Sequence, residues 1–269
     1  MAANETIGTW SPENGCNLST DSVAATPMQT APESGSPTAL KLDIVSDTIC
    51  PWCYVGKRKI ADALEILGRE GLTFDVTWRP FQLNPDMPKD GLDRRQYRSA
   101  KFGSWERSQA LDAQVMAAGQ TVGLAFRHDL MTRTPNTLAS HALIRLARET
   151  GGTAMQDTIV EALFAAYFTE GSDVGDHTVL ADLGTSAGLD RGRVLAALSD
   201  PARKEAVGYE ENLARSLGLN GVPSVLLEGH YLFSGAQPVP AIVEALREAA
   251  AALLAPDTRA IAEPAHVDA

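Results

Sequence analysis

The sequence predicts an α/β fold in three parts: a βαβ unit, a long helical block, and a closing ββα unit. Three observations carry this. Residues 40–80 switch from alternating to helical spacing and back. Residues from about 92 to 217 keep helical spacing almost throughout, and strand character returns only at 224.

Taken in order, Leu40 to Val45 alternates apolar and polar residues and reads as a strand that Ser46-Asp47-Thr48 ends. Ile60, Ala63, Leu64 and Leu67 share one helical face, with Gly68 or Gly71 as the stop. Thr73 to Trp78 alternates again, and a parallel pairing with the first strand calls for a right-handed crossover. Arg79-Pro80 and the prolines at 85 and 88 break the pattern. In the helical block, Leu111, Val115 and Val122, then Leu138, Ala142 and Leu146, then Met155, Ile159 and Leu163 mark apolar faces. Asp176 opens a helix that Gly188 closes, and Asp190 and Asp200-Pro201 read as further N-caps. Ser224 to Leu227 and Tyr231 to Phe233 flank Glu228-Gly229-His230 as a hairpin, and a helix bearing Ile242, Leu246, Ala249 and Leu253 ends the pattern.

The flanks are different in kind. Residues 1–38 hold 15 Ser, Thr or Pro and no Lys or Arg, which reads as a disordered N-terminal tail. Residues 256–269 read as a disordered C-terminal tail. The first segment lacks the basic start and apolar run of a secretory signal, so the expected location is cytoplasmic. Across its 269 residues the chain carries a formal charge of −11, but residues 39–255 have 27 acids and 22 bases, only −5. An acidic chain with no basic run is a poor match for nucleic acid or an anionic membrane. No apolar stretch approaches the roughly 20 residues that span a bilayer. Three cysteines cannot build a disulfide framework.

Two of those cysteines carry chemistry. Cys50-Pro51-Trp52-Cys53 lies where the first strand hands over to the first helix. A helix start has unpaired N–H groups and partial positive charge, which stabilise a thiolate. Pro51 suits the first turn because its missing N–H would have no partner there. Cys50, at the exposed tip, is the expected attacking thiolate. Cys53, one turn in, is the expected resolving thiol for the mixed disulfide. Pro51 and Trp52 tune the pair and shape its rim. A zinc site is disfavoured, because it usually needs two such pairs and the histidines are scattered, so no metal is expected. Two inert core cysteines are the other rival, and the motif's place in a βαβ unit argues against them.

Gly221-Val222-Pro223-Ser224 precedes the hairpin. Proline belongs at a strand start because it cannot donate to a sheet ladder. Were Val222–Pro223 cis, the Val222 backbone could meet an incoming peptide. Local sequence favours trans, since only about 5–6% of X–Pro bonds in folded proteins are cis.

With both features in order, the chain resembles the DsbA family of the thioredoxin superfamily, in the branch often called FrnE-like. The resemblance rests on Ile44-Val45-Ser46-Asp47 leading into Cys50 to Lys57, on Trp78 to Pro85, and on Asn136-Thr137. Ala165 to Gly171, Gly221-Val222-Pro223 and Ser234 to Pro238 complete it. It implies a thioredoxin fold with a large inserted all-helical domain. The parts would be a first half at 39–88, the insert at 89–200 and a second half at 201–255. It also implies that Cys50 and Cys53 are the redox pair and Pro223 a cis proline facing them. Val222 and Pro223 would then bind substrate. The implied activity is thiol–disulfide oxidoreductase or isomerase on protein or small-molecule thiols and disulfides. No tightly bound cofactor is implied, glutathione is a candidate redox partner, and the oligomeric state is left open. Secreted members carry a signal peptide and His where this chain has Trp52, which argues against a periplasmic oxidase.

The related 2-hydroxychromene-2-carboxylate isomerases and kappa-class glutathione transferases typically have Ser where Cys50 stands. Cysteine at both positions favours redox chemistry over that glutathione-dependent alternative. A non-catalytic chaperone-like binding module is a second alternative. Asp47 reads as a strand end in preference to a proton acceptor for Cys53. Tyr54, with Trp52, lines a peptide groove or packs against the insert. His141 reads as a packed histidine, and Cys16 as incidental to the low-complexity tail.

Overall fold

The computed structural model describes residues 39–255. Strand β1 (Leu40–Ser46) alternates as the sequence predicts, so Leu42 and Ile44 are buried on one face and Val45 on the other. Helix α1 (Pro51–Arg69) returns the chain to β2 (Phe74–Pro80), which pairs parallel to β1 from Leu40↔Phe74 to Ser46↔Pro80. After the helical segment, β5 (Ser224–Leu227) pairs antiparallel to β1 and β6 (His230–Ser234) antiparallel to β5. The sheet order is β2-β1-β5-β6. Helix α8 (Val239–Leu254) closes the described chain and packs beside α1. This is the thioredoxin-type α/β fold with a helical insertion that the resemblance implies.

Between β2 and β5 run α2 (Arg94–Phe102), α3 (Trp105–Gln120), α4 (Leu138–Phe168), α5 (His177–Ser186), α6 (Arg191–Ser199) and α7 (Pro201–Ser216). Asp176, Asp190 and Asp200 each cap a following helix through a carboxylate oxygen, as expected. Helix α4 also covers the sheet edge. Gln156 accepts from the Trp78 N–H and donates to its carbonyl, both at 3.0 Å, so the exposed ladder of β2 is occupied there.

Most of the core is one continuous cluster. It runs from Leu42 and Ile44 through Phe164 to Leu198 in the helices and Leu246 in α8. Val45, Phe81, Ala214, Leu219 and Leu226 form a smaller cluster on the other sheet face.

Three sequence expectations need correction. Strand β2 continues through Arg79-Pro80, because an edge strand tolerates a missing N–H on its open side. The helical block is interrupted at 121–137, where β4 (Arg133–Thr134) pairs with β3 (Leu92–Asp93) and Val122 lies past the end of α3. Strands of two residues are too short to show alternation. In α8 the buried position in the last turns is Ala250, while Leu253 is exposed. The tails expected at 1–38 and 256–269, with Cys16, lie outside the described residues. Among the described residues no helix is long and apolar enough to cross a membrane.

Candidate active site

The turn after β1 sets the site. The Cys50 N–H donates to the Asp47 carbonyl and the Cys53 N–H to the Cys50 carbonyl, both at 3.0 Å. Cys50 is thereby the N-cap of α1, in extended conformation, and Pro51 the first helical residue. No side chain caps the helix start, which leaves its N–H groups and partial positive charge to the sulfur of Cys50.

The two thiols have different surroundings. Cys50 is 5% exposed and Cys53 0%. Cys50 therefore does not stand at an open tip, as the sequence reading has it. It forms part of the wall of a cavity of about 400 Å³ with Ile49, Trp52 and Val222, and this cavity does not reach Cys53. Both cysteines are free thiols. Burial pushes the Cys53 thiol well up, and the hydrogen bond and charge of Cys50 push the same way. The Asp47 backbone pulls it down, and the Asp47 carboxylate adds a smaller upward push.

The Val222–Pro223 peptide is cis, as the resemblance implies and local sequence does not. The Cys50 thiol points at the Val222 carbonyl, 3.5 Å away. Gly56, one turn beyond the motif, permits this approach: a Cβ there would meet Pro223 Cγ at 3.1 Å. The segment leading into β5 thus packs directly on α1.

The rim residues divide. Trp52 is 39% exposed and lines the cavity beside Cys50. Tyr54 is buried and packs against the insert. It stacks on Phe164 and Phe168 at 5.1 and 6.1 Å and meets Phe126 edge-on. Its hydroxyl donates to Glu161 at 2.9 Å, and burial followed by that carboxylate pushes its pKa up to about 12.

The far wall of the cavity, from α2, is missed by sequence reasoning. Tyr97, Arg98, Lys101 and Phe102 face the motif from there. Arg98 pairs with Asp112 at 2.7 Å. Lys101 Nζ instead donates to the neutral Asn84 Oδ1 at 2.8 Å and Tyr97 hydroxyl at 2.9 Å, and among the described residues it has no carboxylate partner. The one sequence signal was Asn84, within a stretch shared with the family. Asp47 is also more than a strand end. It is fully buried, and its Oδ2 accepts from the Leu83 N–H at 2.7 Å.

Comparison with known proteins agrees with this fold. A probable DsbA oxidoreductase from Streptomyces coelicolor is similar at 35% identity, over 78% of this chain and 89% of that one, with a TM-score of 0.69. A 2-hydroxychromene-2-carboxylate isomerase shares the fold at 15% identity, over 79% of this chain and 97% of that one, with a TM-score of 0.60. So does the cytosolic disulfide reductase DsbM from Pseudomonas aeruginosa with GSH, at 19% identity over 78% of this chain and 100% of that one, with a TM-score of 0.56. The DSBA-like thioredoxin domain profile matches residues 41–247, spanning both strand units and the helices between them, and the chain belongs to that family of thiol–disulfide oxidoreductases and their relatives.

Proposed function

We propose that the protein is a thiol–disulfide oxidoreductase or isomerase in which Cys50 attacks and Cys53 resolves. The observation that carries this is the asymmetry of access: Cys50 lines the cavity and Cys53 is enclosed. A substrate disulfide entering the cavity meets only the Cys50 sulfur. The Cys50 thiolate forms a mixed disulfide and releases one substrate thiolate. The Cys53 thiolate then attacks the Cys50 sulfur, releases the second substrate thiolate and leaves a Cys50–Cys53 disulfide. The substrate gains two electrons and the protein loses two. The reverse sequence oxidises a dithiol substrate, and resolution by a different substrate thiol gives isomerisation.

The Val222 backbone forms the substrate side of the site, with the cis Pro223 behind it against Gly56, and Pro51 and Trp52 form its rim. Glutathione is the redox partner that restores the dithiol, and no tightly bound cofactor takes part. The uncompensated charge of Lys101 and the cavity's size suit a small anionic thiol of this kind. DsbM, described as a cytosolic disulfide reductase with GSH, shares this fold and supports the reading. A cytoplasmic setting, where thiols are kept reduced, goes with this reading. Cysteine at both motif positions supports redox chemistry over the glutathione-dependent isomerase alternative.

The test is insulin reduction and scrambled-ribonuclease refolding by Cys50→Ser and Cys53→Ser variants. Cys50→Ser is expected to abolish both activities. Cys53→Ser is expected to accumulate a mixed disulfide with glutathione at Cys50, visible by mass. Unchanged activity in Cys50→Ser overturns the proposal.

A further inference from the structure

A second cavity, of about 320 Å³, lies between β2, α4 and α7. It shares no wall residue with the cavity at Cys50, and the proposed redox reaction makes no use of it. Its volume falls at the lower end of the roughly 300–1,000 Å³ typical of small-molecule sites.

The charged groups of its wall are Arg79, Arg145, Arg148, Glu149 and Glu210. Most of them are spent on one another. Arg79 pairs with Asp43 at 2.7 Å and with Glu210 at 3.5 Å. Arg145 pairs with Glu149 at 3.0 Å and also with Glu210. Arg203 adds a third guanidinium, 2.8 Å from Glu149. The network Asp43–Arg79–Glu210–Arg145–Glu149–Arg203 therefore sets three carboxylates against three guanidiniums and is neutral.

Arg148 is left over. Its Nη1 is buried and has no hydrogen-bond partner, and among the described residues no carboxylate pairs with it. A guanidinium does not lose its charge in a protein, so a nitrogen of this kind, taken out of water and left unpaired, is rare and costly. The other polar groups of the wall differ. His141 Nε2 also lacks a hydrogen bond, but the Asp47 carboxylate stands 3.5 Å from it. Gln156 is engaged with both backbone groups of Trp78. The wall also includes Pro80, Ile144 and Val207, the last two 5% and 1% exposed. One uncompensated guanidinium beside apolar side chains defines an occupant. It carries one negative charge on two oxygens that match the guanidinium fork, joined to a small apolar body.

We propose that the β2–α4–α7 cavity is a second binding site, for a small organic monocarboxylate held by Arg148. The carboxylate accepts from the Arg148 guanidinium, and the apolar body packs against Ile144 and Val207. Glu149 and Glu210 stay in the wall and disfavour a second negative charge. Inorganic phosphate has no apolar part to bury there.

The test is calorimetric titration of the full reduced chain with sodium benzoate at constant ionic strength. Benzamide, the neutral isostere, and inorganic phosphate are the comparison ligands. Benzoate is expected to saturate one site per chain, with benzamide and phosphate each weaker by about tenfold or more. Arg148→Gln, polar without the charge, should weaken benzoate by about tenfold or more. Arg148→Lys, charged without the fork, should recover part of that loss. Lys101→Gln, at the Cys50 cavity, should leave benzoate affinity within about twofold. Absence of saturable benzoate binding to the wild-type chain overturns the proposal. Equal affinity for benzoate and benzamide does so too, and that comparison needs no variant to fold. Benzoate affinity unchanged in Arg148→Gln also overturns it. So does a loss in Lys101→Gln in its place, which would put the anion at the Cys50 cavity. Phosphate binding tighter than benzoate overturns the carboxylate assignment.

Discussion

Phe164→Ala tests whether the inserted helices and the strand units share one core. Phe164 is 0% exposed. Its ring stacks on Tyr54 at 5.1 Å, one residue past the redox motif, and meets Trp78 of β2 edge-on at 6.4 Å. Phe168 lies at 6.2 Å. Truncating a buried Phe costs about 3–5 kcal/mol, through lost transfer energy and the cavity left behind. Aromatic pairs add about 0.5–1.5 kcal/mol each. Tyr54 is held by Glu161 and Phe126 and cannot collapse freely into the gap, so the upper part of the range, about 4–5 kcal/mol, is expected. At about 2–4 °C per kcal/mol for a chain of this size, Tm should fall by about 10–15 °C. Urea unfolding followed by far-UV circular dichroism and tryptophan fluorescence is the assay. Both probes should shift together, because Leu42, Phe164 and Leu198 belong to one cluster. A loss under about 2 kcal/mol, or two separated transitions, would refute the shared core.

Three other outcomes follow from the same contacts. Burial raises the Cys53 thiol, so the reduced folded protein holds a proton there that the unfolded chain, with an ordinary thiol near 8.5, gives up first. That contribution to stability is full below about pH 8.5 and falls as pH rises further. The Tm of reduced wild type should therefore drop more steeply than that of Cys53→Ser between pH 8.5 and 9.5, and parallel curves would contradict it. Lys101→Glu reverses a cation of the Cys50 cavity that has no carboxylate partner among the described residues. It should raise the KM for oxidised glutathione about 3–10-fold at low salt, with the difference shrinking at 0.5 M salt. Tyr54→Phe removes the hydroxyl bond to Glu161 while keeping the ring. A loss of about 0.5–1.5 kcal/mol in urea unfolding is expected, with disulfide reductase activity retained.

The parts of the molecule legible in the sequence are those set by local rules. Alternation locates β1 and β2, and acids at helix starts locate α5, α6 and α7, because each signal lies within a few residues of its effect. The redox motif is legible for the same reason: the strand, the cysteines and Pro51 are consecutive. What escapes is set by distance along the chain. Lys101 lies 51 positions beyond Cys50, and only the packing of α2 brings it to the cavity. His141 in α4 carries no local mark that separates a packed ring from one facing a buried carboxylate. The burial of Cys50 likewise depends on Val222, from the far end of the chain. The cis state of Val222–Pro223 is decided by that tertiary setting and not by the dipeptide.

These distant residues fall into a pattern. Both sulfurs come from one turn, and the segments outside that turn give them different neighbours. The outer sulfur, Cys50, faces α2 and the Val222 loop, with a cation and a carbonyl within the cavity. The inner sulfur, Cys53, is enclosed in the core beside the Asp47 backbone. The inserted helices therefore supply Lys101 to the outer side. In the proposed reaction the motif and its helix determine which sulfur attacks, since that depends on access at the N-cap. The insert bears on what can approach Cys50. Exchanging α2 alone should change partner preference and leave Cys50 the thiol that alkylates first, because access at the N-cap is set by the motif and its helix. Were the order of alkylation of the two cysteines to change with α2, access would not be set by the motif.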